Sequence, residues 1–158
     1  MWLCCAVLAV VLLALVATGL VILPQRRAAG SNAPVVVART EAVNFFTLGY
    51  RDIDADLASV VKLATSPFKE QYTAKRSTVK QGIVAGKLTS TAAVGDGATA
   101  VEMQTGSKVV VLVAVDATTT APQTSAAKAA AQTDRYRMRL TVVKIHGNWL
   151  VSSIEQVG

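Results

Sequence analysis

Three aspartates stand at alternate positions in Tyr50–Leu57, YRDIDADL: Asp52, Asp54 and Asp56. Carboxylates in this pattern suit a metal loop, acid–base chemistry, or the positive end of a helix. The calcium loop fails on its own requirements. It needs glycine at position six and glutamate at position twelve, and counting from Asp52 those positions hold Leu57 and Leu63. A helical repeat then begins, with Leu57, Val60, Val61 and Ala64 at i, i+3, i+4 spacing. The aspartates therefore read as helix capping by Asp52 or Asp54, with Asp56 in the first turn facing the dipole. A contact with a partner is the alternative use.

Other catalytic groupings are equally thin. His146 is the single histidine and adjoins Gly147, in a turn. Both cysteines, Cys4 and Cys5, lie near the N-terminus, so neither a nucleophilic triad nor a thiolate metal site is expected beyond it. Gly82 and Gly86 are too sparse for a phosphate loop. The acids of the strand-like half are Glu102, Asp116 and Glu155. The expectation is a protein without catalytic residues, metal or cofactor. A more suggestive pattern is Arg135, Arg137 and Arg139, which period two places on one sheet face. Such a stripe is either a solvated face paired with those acids or a dock for an acidic partner or anionic headgroups. With a formal charge of +6 and no basic block interleaved with aromatics, nucleic acid is not an expected partner.

The elements that would position these residues are set by periodicity. Trp2–Leu23, with Leu12 at its middle, contains no charged residue. Its 22 residues span roughly 33 Å as a helix, enough for the ~30 Å hydrocarbon core. It reads as an uncleaved transmembrane anchor over 1–23, with a polar linker over 24–34. Arg26 and Arg27, taken alone under the positive-inside rule, place the C-terminal part of the chain in the cytoplasm.

Residues 35–158 read as one α+β domain, with helices over about 35–84 and strands over about 87–157. The first helix is expected across Val35–Tyr50 and the second across Asp54–Thr65. The third starts at Ser66-Pro67, with Ser66 as its N-cap. Strands are expected at Lys87–Val94 and Ala98–Gln104, joined by a hairpin at Gly95-Asp96-Gly97, and then at Lys108–Thr118, Arg135–Ile145 and Trp149–Val157. The small-residue stretch 119–133 reads as a loop. Phe45, Phe46, Tyr50, Phe68, Tyr72, Tyr136 and Trp149 are the expected core aromatics, with lining of a ligand pocket as the other reading. Helices before an antiparallel meander are the order of a cystatin-like, nuclear-transport-factor-2-like cone.

Two stretches carry a family resemblance. NFFTLGYRDIDADLASVVKLATSPFKEQY, residues 44–72, and RYRMRLTVVKIHGNWLVSSIEQVG, residues 135–158, resemble the actinobacterial Mce-associated membrane proteins. The resemblance extends over about residues 39–158. It implies a cone domain on the extracytoplasmic side of the plasma membrane, held by one N-terminal anchor. It also implies an accessory or scaffold role in Mce complexes that import lipids or sterols, with transporter subunits, the bilayer and a lipid as partners. On this reading the family's topology outweighs the two arginines, because long domains translocate largely regardless of flanking charge. The alternatives are a carrier holding a lipid inside the cone and, behind it, a cone-fold enzyme.

Overall fold

From Val109 to Val115 the chain runs VVVLVAV without a polar residue, and this stretch becomes the first part of a 13-residue strand with a buried face. The computed structural model describes residues 32–122 and 131–158. The expected anchor, with Trp2, Leu12 and Leu23, and nearly all of the expected linker lie outside them. Among the described residues no helix is long and apolar enough to cross a membrane.

Ala33–Gly158 form one compact unit. Its elements are α1 (Ala33–Phe46), β1 (Leu48–Gly49), α2 (Ile53–Leu63), α3 (Phe68–Gly86), β2 (Thr89–Ala93), β3 (Thr99–Gln104), β4 (Lys108–Thr120), β5 (Gln132–Ile145) and β6 (Asn148–Gln156). All six strands join one antiparallel sheet in the order β1-β2-β4-β5-β6, with β3 also paired to β4. The expected loop over 119–133 is shorter than its composition suggested, because threonines at both ends continue the pairing: Thr118 faces Thr133 and Thr119 faces Gln132.

Side chains alternate across a strand, so β4 turns Val109, Val111, Val113, Val115 and Ala117 to one side. There they meet Leu140 and Val142 of β5, Val151 of β6, and the helices. Helix α1 crosses this face with Ala38 and Ala42, whose small side chains allow close approach. Helix α2 adds Ile53, Leu57 and Val60, and α3 adds Phe68 and Tyr72.

Two expectations fail for identifiable reasons. Gly95-Asp96-Gly97 does not make a hairpin. Strands β2 and β3 lie end to end along β4, β2 against Asp116–Thr120 and β3 against Val109–Val113. The carbonyls of Val94 and Gly95 accept hydrogen bonds from the Arg39 guanidinium of α1, at 2.9 and 3.2 Å. Gly97, at φ +73°, redirects the chain, and Ala98 O rejoins β4 by accepting from Ala114 N at 2.9 Å. The tight two-residue turn lies at His146-Gly147 instead. Both residues have positive φ, 49° and 87°, the signature of a hairpin turn matched to strand twist. The second failure is the end of α1, which stops at Phe46 rather than Tyr50. Leu48-Gly49 leaves the helix to pair with β2, and Gly49 N–H is taken by Asp56 Oδ2 at 2.7 Å.

Candidate interaction surface

The three aspartates do three separate things. Asp52 occupies the N-cap position of α2, but its carboxylate captures no N–H there. Its backbone, at φ −116° and ψ 18°, is not in the extended conformation from which a cap side chain reaches the N2 or N3 amide. Asp54 lies in the first turn and reaches α3 instead, with Lys80 Nζ at 2.6 Å and Arg76 Nη2 at 3.8 Å. The hydrogen bond from Lys80 holds the Asp54 carboxyl below its ordinary range. Asp56 turns back to Gly49. Capping by the Asp52 and Asp54 side chains is therefore corrected: neither makes it. Ser66 is corrected too. Helix α3 begins at Phe68, and the Ser66 hydroxyl donates to Glu70 Oε1 at 2.6 Å. Thr65 O already accepts the Lys69 N–H, and Thr65 N–H is tied to Val151 O of β6. Among the described residues no three His, Cys, Asp or Glu side chains are grouped as a metal would require.

The aromatics form a connected cluster around Phe45, with ring centroids 5.1 Å from Phe46, 6.3 Å from Phe68 and 5.9 Å from Tyr72. Phe46 stacks on Tyr136 at 4.5 Å. Phe68 and Tyr72 are buried, while Phe46 and Trp149 are half-buried against the core. Tyr50 is the exception and is corrected. Because α1 ends at Phe46, Tyr50 sits in the turn after β1, half-buried, with its hydroxyl accepting from Arg51 Nε at 2.9 Å.

Sequence reasoning missed Glu41. It sits on α1 beside Ala42 and is 0% exposed, and among the described residues neither carboxyl oxygen meets a partner in full hydrogen-bonding geometry. The Tyr72 hydroxyl is likewise buried without a partner. Burial pushes the Glu41 carboxyl up to about 8, with the neighbouring Asn44 amide drawing it partly back. Burial, and then the nearby Glu41 carboxyl, push the Tyr72 phenol up to about 12. At neutral pH Glu41 is thus a protonated, neutral acid. The signal was present in the spacing. Ala38, Glu41, Ala42 and Phe45 stand at i, i+3, i+4 and i+7, so Glu41 belongs to the buried stripe of α1.

The arginines of β5 lie on the sheet face away from the helices. Arg135 grips Asp116 with two bonds, Nε–Oδ1 at 2.6 Å and Nη2–Oδ2 at 3.2 Å. Arg139 grips Glu102 in the same way, at 2.8 and 3.0 Å. The hydrogen bond from Arg135 lowers the titration of the Asp116 carboxyl. Among the described residues, Arg137 between them has no hydrogen-bonding or ionic side-chain partner. The stripe of three charges is therefore two neutralised forks and one open guanidinium.

A curled antiparallel sheet with helices packed on one face defines an NTF2-like α+β half-barrel. Solved structures of the same fold include an IcmL-like type IV secretion system protein from Legionella pneumophila, at 10% identity and TM-score 0.62, over 77% of this chain and 88% of that one. The periplasmic domain of DotI is similar at 13% identity and TM-score 0.61, covering 81% and 95%. CagV, a VirB8 homolog of the Helicobacter pylori type IV secretion system, matches at 10% and 0.58, covering 79% and 97%. No curated protein matches the chain. The chain belongs to the family described as uncharacterized protein Rv1363c/MT1408-like, whose sequence profile matches residues 2–158.

Proposed function

We propose that this chain is a non-enzymatic accessory subunit that assembles or stabilises a transport complex in the cell envelope. Its finer assignment is to an Mce-type importer of lipids or sterols. The observation that carries the proposal is the fold likeness, over about four-fifths of the chain, to domains of type IV secretion proteins, one of them described as periplasmic. Those proteins are parts of secretion systems, and a scaffold needs a stable surface rather than a reactive site. The resemblance of residues 44–72 and 135–158 to Mce-associated proteins supplies the particular complex. The same reading puts the anchor at Trp2–Leu23 in the plasma membrane and the cone outside the cytoplasm.

One observation favours the rival enzyme reading: a neutral buried acid, Glu41, is the kind of group that acts as a general acid or base in a cone. Its complete burial argues against that role, because a substrate must reach within hydrogen-bond distance of the acid it uses. Affinity purification of the tagged chain from detergent-solubilised native membranes tests the proposal. Transporter subunits of the Mce type are expected to co-purify in fixed proportion. A chain that purifies alone, or with an unrelated complex, overturns it.

A further inference from the structure

We infer that the open face of the sheet carries a docking groove for a partner-protein segment that presents one carboxylate beside an aliphatic side chain, anchored by Arg137. The inference rests on the reading of the chain as a scaffold and names where its partner engages.

The groove runs across β3, β4 and β5 and has a volume of about 260 Å³. Ala98, Ala100, Leu112 and Ala114 line it, with Arg137 and Val157. Register explains why it is unfilled. Ala114 pairs with Arg137 on β5, and on the β3 side Ala98 O accepts from Ala114 N, so small side chains stand in this row where the flanking rows carry Leu112 with Arg139 and Asp116 with Arg135. The fork of Arg139 on Glu102 and the fork of Arg135 on Asp116 belong to the rows on either side.

Asp116 stands directly opposite Arg135, but Ala114 stands opposite Arg137. On its other side Arg137 O accepts from Val157 N at 2.8 Å, so that neighbour is apolar as well. An exposed guanidinium with no ion-paired acid among the described residues, set beside Ala114, Val157 and Gly158, is suited to bidentate capture of an incoming carboxylate.

Size and charge together select the occupant. At about 260 Å³ the groove lies below the ~300–1,000 Å³ of pockets that enclose a small-molecule ligand. An anionic membrane surface is recognised by several basic groups acting together. Here two of the three arginines are already neutralised, leaving one. An extended protein segment fits better. Among the described residues strand β3 pairs with β4 alone, so its other edge is open beside the groove to an extended segment.

The test is an amide-resolved NMR titration of the full chain in detergent micelles. The probes are two terminally blocked pentapeptides of valine and leucine, one with a central aspartate and one with asparagine. The aspartate peptide is expected to shift the amides of Ala98, Ala100, Leu112 and Ala114 and to bind at least tenfold more tightly. Arg137→Gln should abolish that preference, while Arg135→Gln should preserve it. Melting curves of both variants establish that they fold. Equal binding of the two peptides, or a preference that survives Arg137→Gln, overturns the inference. So does an Arg137-dependent response to phosphatidylglycerol vesicles or inorganic phosphate that exceeds the response to the aspartate peptide. If the wild-type chain co-purifies with a complex and Arg137→Gln does so equally, the groove is wrong and the scaffold reading stands. If the wild type co-purifies with nothing, the scaffold reading fails whatever the peptides do.

Discussion

Replacing Glu41 by glutamine should stabilise the protein at neutral pH and do almost nothing in mild acid. Folded, the carboxyl keeps its proton up to about pH 8; its ordinary value is 4.5. Between those values the folded chain holds one proton more than the unfolded chain. A group whose folded pKa is raised gives stability that is fully present below the unfolded value and is lost as pH rises to the folded one. The loss is about 1.4 kcal/mol per pH unit, so at pH 7 the acid costs about 3 kcal/mol. That is a sizeable fraction of the ~5–15 kcal/mol that holds a domain together. Glutamine keeps the shape and never titrates. Glu41→Gln should therefore gain about 3 kcal/mol at pH 7, with the gain shrinking towards zero near pH 4.5. Urea unfolding followed by circular dichroism at four pH values from 4.5 to 7.5 measures this. The informative quantity is the difference between variant and wild type, because the other titrating groups cancel in it; Asp54 and Asp116, held below their ordinary 3.8, act only at and below the acid end of this range. A difference that does not change with pH refutes the reasoning and means that folded Glu41 is a charged, paired carboxylate.

Other substitutions separate roles that the sequence ran together. Asp56→Ala removes the acceptor of the Gly49 N–H and should cost about 1–3 kcal/mol by urea denaturation. Asp54→Ala breaks only solvent-exposed contacts with Lys80 and Arg76 and should leave the urea midpoint nearly unchanged; equal effects at the two positions would be contrary to this account. Trp149→Ala removes a half-buried ring and should cost about 2–3 kcal/mol, less than the ~3–5 typical of a fully buried aromatic. A reporter fused after Gly158 should be active outside the cytoplasm, and cytoplasmic activity would contradict the proposed topology.

Much of the fold was legible because it rests on periodicity. Alternation in β5 and the unbroken apolar run of β4 mark strands with a buried face. The i, i+3, i+4 pattern of Leu57, Val60 and Val61 marks α2, and Phe68 with Tyr72 marks the inner side of α3. What was not legible depends on contacts distant in sequence. Gly95-Asp96-Gly97 is not a hairpin because β2 and β3 each pair with β4, and the carbonyls of Val94 and Gly95 are met by Arg39, more than fifty residues away. Ser66 and Asp52 have the composition of caps, but local backbone angles and the competing Glu70 decide what they bind. The arginine stripe was visible as a row of charges. Which of them stays open depends on register, since Asp116 falls opposite Arg135 and Ala114 opposite Arg137. Glu41 was within reach of helical spacing, at i+3 from Ala38 on the buried stripe of α1.

Strands β2 and β3 are registered on β4 independently of each other, and this divides the sheet edge into two separable units. Opening β2 exposes the alternate amides of Asp116–Thr120 that point to it while β3 continues to protect those of Val109–Val113 that point to β3, and the reverse also holds; the amides between them stay bonded to β5. Hydrogen exchange along this one strand should therefore show two protection levels, as expected when neighbouring segments open separately. The joint over Val94–Ala98 is held from the helix side by Arg39. Loss of that side chain would let the two edge strands breathe without a change in register. The same joint is where extra residues can be accommodated, because lengthening it displaces neither strand from its partner on β4.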